Sequence, residues 1–199
     1  MDAHTAPGRA LPVPAGSVRA VVLVEGASDA AALAALAEIE GRDLTADGVA
    51  IVPMGGATSV GRYLQHYGPP GLGLALAGLC DTREEPYVRR GLAAAGIAAG
   101  SREETELAGF SVCVLDLEDE LVRALGPAGV QRVLAEHGDL RRFHRFQHQP
   151  AHRGEPIEAQ LRRFLGTTSG RKELYGRRLV LAAGPERAPA PLRAVLSRV

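Results

Sequence analysis

Acidic residues stand directly after three short apolar runs of this chain. Glu25 follows VRAVVLV, Asp81 closes the run that begins LGLALAGL, and Asp116, with Glu118 and Asp119, follows FSVCVL. Asp29 lies four residues beyond Glu25. If the runs are parallel strands, their carboxyl ends open into one crevice, and acids placed there converge. Hard oxygen donors without a Cys or His cluster suit Mg²⁺ or Mn²⁺ rather than Zn²⁺. Each acid also has a structural reading: Asp29 complements a helix dipole, and Asp81 caps the third helix.

Lysine occurs once, at Lys172, against 22 arginines. A compact ammonium is what a phosphate contact can require and a planar guanidinium cannot supply at the same point. Residues 140–153 (LRRFHRFQHQPAHR) mix four Arg, three His and two Phe. Arg141, Arg142 and Arg145 among rings could grip a nucleic-acid backbone. Equally, Phe143 and Phe146 could anchor a helix in the core and leave the arginines solvated. His144, His148 and His152 are four apart, but Pro150 breaks the helix that would align them. GGATSVGR lacks the Lys and Ser/Thr of a phosphate loop and reads as a glycine-rich turn with a helix start, and no GxSxG elbow is present.

The elements that must position these groups follow from the patterning. Residues 18–24 form a near-continuous apolar run suited to a strand covered on both faces, and Ser28 is placed to cap a helix over 29–40 stopped by Gly41. Residues 49–53, 72–79 and 110–115 read as further strands; 58–67, 84–95 and 116–125 read as helices, the last stopped by Gly126 and Pro127. Strands alternating with helices predict an α/β fold with a doubly wound, mostly parallel sheet of about four strands. Beyond 126 the pattern is helical, over 128–137, 156–165, 171–183 and 191–198. The expected organisation is a flexible segment 1–16 with three prolines, an α/β domain 17–126, and a small helical basic portion 127–199 packed on the sheet.

A zero net charge hides an asymmetry. Residues 1–138 hold 10 Arg against 18 acids, and residues 139–199 hold 13 bases against 5 acids. Concentrated carboxylates beside a basic surface suit a metal-dependent enzyme acting on a polyanion; an acidic lobe docked on a basic one would give the same numbers. With 46% hydrophobic residues and 23% charged, disorder throughout is excluded. No apolar run is long enough for a bilayer and the N-terminus does not resemble a signal peptide, so a cytoplasmic location without membrane partners is expected. Cys80 and Cys113, in strand-like runs, read as buried free thiols.

VLVEGASDAAAL, followed after two βα units by LAGLCDTREE, resembles the TOPRIM domain of topoisomerases, primases and small nucleases. The version it looks most like is that of the OLD (overcoming lysogenization defect) nucleases, with a strand-end EGxxD and a later DxD. The likeness extends through DLEDELVRALG to GRKELYG, over roughly residues 17–180. It implies a TOPRIM-like, Rossmann-like sheet and a Mg²⁺- or Mn²⁺-dependent endonuclease acting on DNA. Glu25 would be metal ligand or general base, Asp29 the second acid of its motif, Asp81 the principal ligand, and Glu118 and Asp119 outer ligands. Lys172, with Arg171 beside it, would meet the phosphate.

One position departs from the pattern: the second Asp of DxD is Arg83. A guanidinium cannot ligate a cation and repels one placed beside it. Either the site holds one metal completed by Glu84, Glu85 or Glu118, with Arg83 contacting phosphate, or hydrolysis is lost and a nucleic-acid-binding or regulatory module remains. Metal-dependent nucleotidyl or phosphoryl transfer is a third reading. The OLD relatives carry an ATPase in the same chain, so any ATP coupling here is expected to need a separate ATPase subunit. Whether the chain acts alone or as a homodimer is left open.

Overall fold

The computed structural model describes residues 17–167 and 169–199. The segment expected to be flexible, 1–16, lies outside the described residues. Four strands, β1 (Ala20–Val24), β2 (Val49–Pro53), β3 (Ala75–Asp81) and β4 (Phe110–Cys113), form one parallel sheet in the order β2-β1-β3-β4. The chain therefore leaves β1 to one side for β2 and returns to its other side for β3. The gap between β1 and β3 is the place where the winding reverses, and ligands of such sheets bind there.

All five residues of β1 are buried, as a central strand of a parallel sheet requires. Their alternation assigns them to opposite cores. Ala20, Val22 and Val24 face α1 (Ala27–Ile39) and the C-terminal helices, whereas Val21 and Leu23 face α2 (Val60–Tyr67) and α3 (Glu85–Ala94). Gly78 of β3 lies so close to Phe110 that a Cβ would fall 2.3 Å from its ring. Only glycine allows that contact.

Several boundaries differ from the sequence expectation. The cap of α1 is Gly26, and Ser28 lies buried inside the helix. The first strand starts two residues later than expected and the third starts at Ala75. The fourth stops at Cys113, with Val114 and Leu115 exposed. A short helix α4 (Arg102–Leu107) has no counterpart among the expected elements; Ser101 Oγ caps it by accepting from Glu104 N–H at 3.1 Å. The stop expected at Gly126 and Pro127 is present: α5 (Leu117–Glu136) is two helical stretches meeting at a non-helical Gly126 (φ 68°).

The remainder is helical: α6 (Leu140–Gln147), α7 (Ile157–Gly166), α8 (Ser169–Arg187) and α9 (Ala190–Leu196). A second Gly–Pro pair, Gly184 (φ 71°) and Pro185, breaks α8 as Gly126 breaks α5. Leu179, Val180, Leu192 and Val195 complete the core on the α1 side of the sheet. Among the described residues no helix is long and apolar enough to cross a membrane.

The two readings of the 140–153 segment divide within α6. Phe143 is fully buried, edge-on to Phe164 at 5.3 Å, while Arg141, Arg142 and Arg145 are exposed. The helix ends before His148, and His152 stacks on Phe146, so the three histidines do not line up. We expect Phe143→Ala to cost about 3–5 kcal/mol through the cavity it leaves, and Arg145→Ala to stay within about 0.5 kcal/mol. Urea unfolding of the two variants would measure both; similar costs would contradict this division.

Candidate active site

The carboxyl edge of the sheet gathers six carboxylates around a single ammonium. Glu25, Asp29, Asp81, Glu84, Asp116, Glu118 and Lys172 line a small pocket of about 20 Å³, together with Cys80 and Cys113. They arrive from separate elements. Glu25 ends β1, Asp29 is in the first turn of α1, Asp81 ends β3, Glu84 precedes α3, Asp116 and Glu118 open α5, and Lys172 opens α8. Strand ends and helix N-termini place them there, and the positive ends of α1 and α5 favour acids.

Local hydrogen bonds hold several of these groups. Asp29 Oδ2 accepts from the N–H of Gly26 at 3.1 Å, which ties the EGxxD turn to itself. The carbonyl of Glu25 accepts from the N–H groups of Gly55 and Gly56 at 3.0 and 3.2 Å. The glycine-rich turn after β2 thus directs these amides to the β1 end and not to a phosphate. Asp81 Oδ1 accepts from the N–H groups of Arg83 and Glu84 at 2.7 and 2.9 Å, so it fixes the turn that leads into α3, whose own N-terminus takes no side-chain cap. Its Oδ2 takes no hydrogen bond among the described residues.

Asp116 caps α5 through Asp119 N–H, and its Oδ2 accepts from Arg162 Nε at 2.7 Å. Glu118, only 5% exposed, pairs with Lys172 Nζ at 3.3 Å. Lys172 reaches it because α8 packs tightly on α1: a Cβ on Gly176, one turn further along, would lie 2.8 Å from the Ser28 carbonyl. The GRKELYG stretch therefore joins a charged residue to the glycine that lets its helix approach.

The crowding perturbs proton affinities. Burial, with a smaller push from Glu118 and Glu25, raises Asp29 to about 6 against the bond from Gly26 and the pull of Lys172. Glu84 is pushed up to about 8, first by burial and then by the carboxylates of Glu25 and Asp81, with the Asp81 backbone hydrogen bond opposing. Burial also raises Glu118, against the pull of Lys172. Burial alone would lower Lys172, but its bond and attraction to Glu118, with Asp29 and Glu25 beyond, leave it raised.

Not every expected group arrives. Asp119 turns away to Arg123 Nε at 2.9 Å and does not line the pocket. Of the three residues considered to complete a one-metal site, Glu84 and Glu118 are present, while Glu85 is held by Arg102. Arg83 is exposed and lines a neighbouring groove, outside the carboxylate pocket. Arg171 binds the Phe164 carbonyl and Thr167 Oγ1 and lies over the Phe164 ring at 4.4 Å, a tie between α7 and α8. Arg141, Arg142 and Arg145 line neither cavity. In their place the fold brings Arg162 and Arg163, whose only sequence signal is the amphipathic pattern of QLRRFLG. Cys80 and Cys113 are free and buried, on opposite faces of the sheet, and burial raises both thiols, which leaves them un-ionised.

The donor set fits a divalent cation. Six carboxylates facing one ammonium leave negative charge that protons or a cation must offset, and burial together with that excess raises the proton affinity of Asp29 and Glu84. Among the described residues no three acids, His or Cys already close into a cation cage, so binding would draw these side chains together.

Comparison with known proteins agrees with the fold. Residues 18–82 match the family model of the overcoming lysogenization defect protein-like TOPRIM domain. The C-terminal region of the Xanthomonas campestris pv. campestris OLD protein is 26% identical, with a TM-score of 0.63 over 90% of this chain and 93% of that one. The C-terminal region of the Burkholderia pseudomallei OLD protein is 21% identical, with a TM-score of 0.65 over 91% and 96%. No curated protein matches the chain.

The raised acids determine a pH dependence of stability. In the unfolded chain a carboxyl ionises near its ordinary 3.8 to 4.5, whereas the native state keeps protons to about 6 at Asp29 and about 8 at Glu84. The unfolded state therefore binds fewer protons over that interval, and stability falls as pH rises from about 4 to 8 and levels off above it. In chelator, the Tm should fall across this range. Glu84→Gln should flatten the upper part and melt a few degrees higher at pH 8, since about 2–4 °C corresponds to each kcal/mol in a chain of this size. An unchanged profile in the variant would show that Glu84 ionises normally.

Proposed function

From the match of residues 18–82 to the OLD-like TOPRIM domain, we propose that the chain is a Mg²⁺- or Mn²⁺-dependent endonuclease that nicks or hydrolyses DNA phosphodiester bonds. The observation that carries this reading is the crowding of six carboxylates around one ammonium where the winding of the sheet reverses. Glu25, Asp81 and Glu84 would hold the cation, with Asp29 and Glu118 beside them. When bound, it supplies Lewis-acid polarisation of a phosphoryl oxygen and acidifies water.

The chain's own groups divide the remaining work. Glu25, exposed at the strand end, takes the proton of the attacking water on its carboxylate as the water oxygen bonds to phosphorus and the ester P–O bond breaks, and the departing sugar oxygen takes a proton from solvent. Lys172, half-buried and held by Glu118, neutralises charge developing on the phosphate oxygens. Asp29 keeps the Glu25–Gly26 turn in place through its bond to Gly26. Asp81 plays two parts, fixing the turn into α3 with one oxygen and offering the other to the pocket.

Supercoiled plasmid incubated with Mg²⁺ or Mn²⁺ tests the proposal. We expect nicking that falls on the order of 10²-fold or more in Glu25→Gln and in Lys172→Arg, with cooperative unfolding retained in both. Calorimetric titration should show weaker Mn²⁺ binding in Asp81→Asn. Plasmid binding without nicking in any divalent cation would instead make the chain a binding-only relative, the reading that Arg83 in the DxD segment favours.

A further inference from the structure

A second cavity opens beside the carboxylate pocket and shares Asp116, Glu118 and Lys172 with it. It is larger, about 480 Å³, and its remaining charged walls are Arg83, Arg162 and Arg163. Four cations thus face two acids, the inverse of the balance in the pocket next to it. Among the described residues no aromatic side chain lines it.

Its ion pairs are open to exchange. Arg162 is held by Asp116, and Lys172 by Glu118, the two acids of the shared wall. Arg163 pairs with Glu155 at 3.2 Å across an exposed surface, a pair of little net strength. Arg83 is anchored through its backbone N–H to Asp81, and its guanidinium makes no ion pair or hydrogen bond among the described residues. An exposed guanidinium aimed into a groove with three other cations is a phosphate contact in want of a phosphate.

We propose that this groove carries the sugar–phosphate backbone flanking the bond to be broken, with Arg83 and Arg163 as its principal contacts. The inference rests on the nuclease reading and adds where the substrate strand lies and how it is recognised. Arg83 is then a backbone contact on the neighbouring wall, neither a failed ligand nor a plug in the metal pocket. With no ring to stack a base and only charged and hydroxyl groups on its walls, the groove reads phosphates, so binding is independent of sequence. The exposed arginines of α6, which line neither cavity, lie outside this track.

Fluorescence anisotropy with labelled DNA duplexes of two unrelated sequences, in Ca²⁺ without Mg²⁺ or Mn²⁺, tests it. Wild type should bind both alike, with affinity falling steeply with salt. The Arg83→Ala/Arg163→Ala double variant should weaken both equally and lower the slope of log affinity against log salt by about 2, roughly one for each guanidinium removed. Arg83→Lys/Arg163→Lys should keep the slope, and Arg141→Ala/Arg142→Ala/Arg145→Ala should bind as wild type. A double variant that binds as wild type, or a triple variant that loses as much, overturns the groove while leaving plasmid nicking and its loss in Glu25→Gln to judge the nuclease reading. Groove-dependent binding without nicking does the reverse. Increased nicking by Arg83→Asp also overturns the proposal, because it would make Arg83 an obstruction to the metal pocket.

Discussion

Carboxylates brought together at the edge of a parallel sheet repel one another, and the rest of this molecule is arranged around that repulsion. The sheet supplies no counter-charge of its own. Each parallel strand delivers its terminal side chain to the same edge, and each following helix adds the first-turn acids its dipole favours. Without compensation, Glu25, Asp29, Asp81, Glu84, Asp116 and Glu118 would not share one pocket. Three devices offset the repulsion: protons drawn to Glu84 and, less firmly, to Asp29, the ammonium of Lys172, and the guanidinium of Arg162 on Asp116. A divalent cation would displace the first and leave the other two.

That requirement explains why the C-terminal helices are part of the site. Lys172 and Arg162 belong to α8 and α7, more than forty residues beyond the acids they balance. They can reach because Gly176 lets α8 approach the Ser28 carbonyl and because Phe143, Phe146 and Phe164 fix α6 and α7 against one another. The charge asymmetry of the sequence is therefore a division between two halves that fold onto one site. Apolar packing holds the bases where their charge is needed, which surface ion pairs alone would not do.

The two adjoining cavities express opposite charge preferences across a shared wall. One concentrates acids and suits a cation; the other concentrates arginines and suits a polyanion. Asp116, Glu118 and Lys172 stand between them, each bonded to a group of the opposite sign. The placement of Arg83 follows from the backbone. Asp81 Oδ1 holds the Arg83 and Glu84 N–H groups in a tight turn, which sends neighbouring side chains to different cavities, Glu84 to the acids and Arg83 to the groove.

The parallel sheet and the strand-end acids were legible in the sequence because both are local. Continuous apolar runs identify strands buried on both faces, and an acid directly after such a run must emerge at the carboxyl edge, wherever that strand sits. Glu25, Asp81 and the glycine-rich turn could be read on those grounds, as could Gly126–Pro127. What only the tertiary structure decided was which of several equivalent neighbours faces inward. Asp119 and Glu118 are adjacent on a first turn, yet one pairs with Arg123 and the other with Lys172. Glu84 and Glu85 differ in the same way, because Arg102 on the unforeseen α4 captures the second. A hundred degrees of helical rotation separates such neighbours, and its direction depends on the packing of helices distant in sequence. The basic residues show the same limit: composition located the charge in the C-terminal third, but the exposed arginines of α6 and the groove arginines of α7 differ only in where their helices dock.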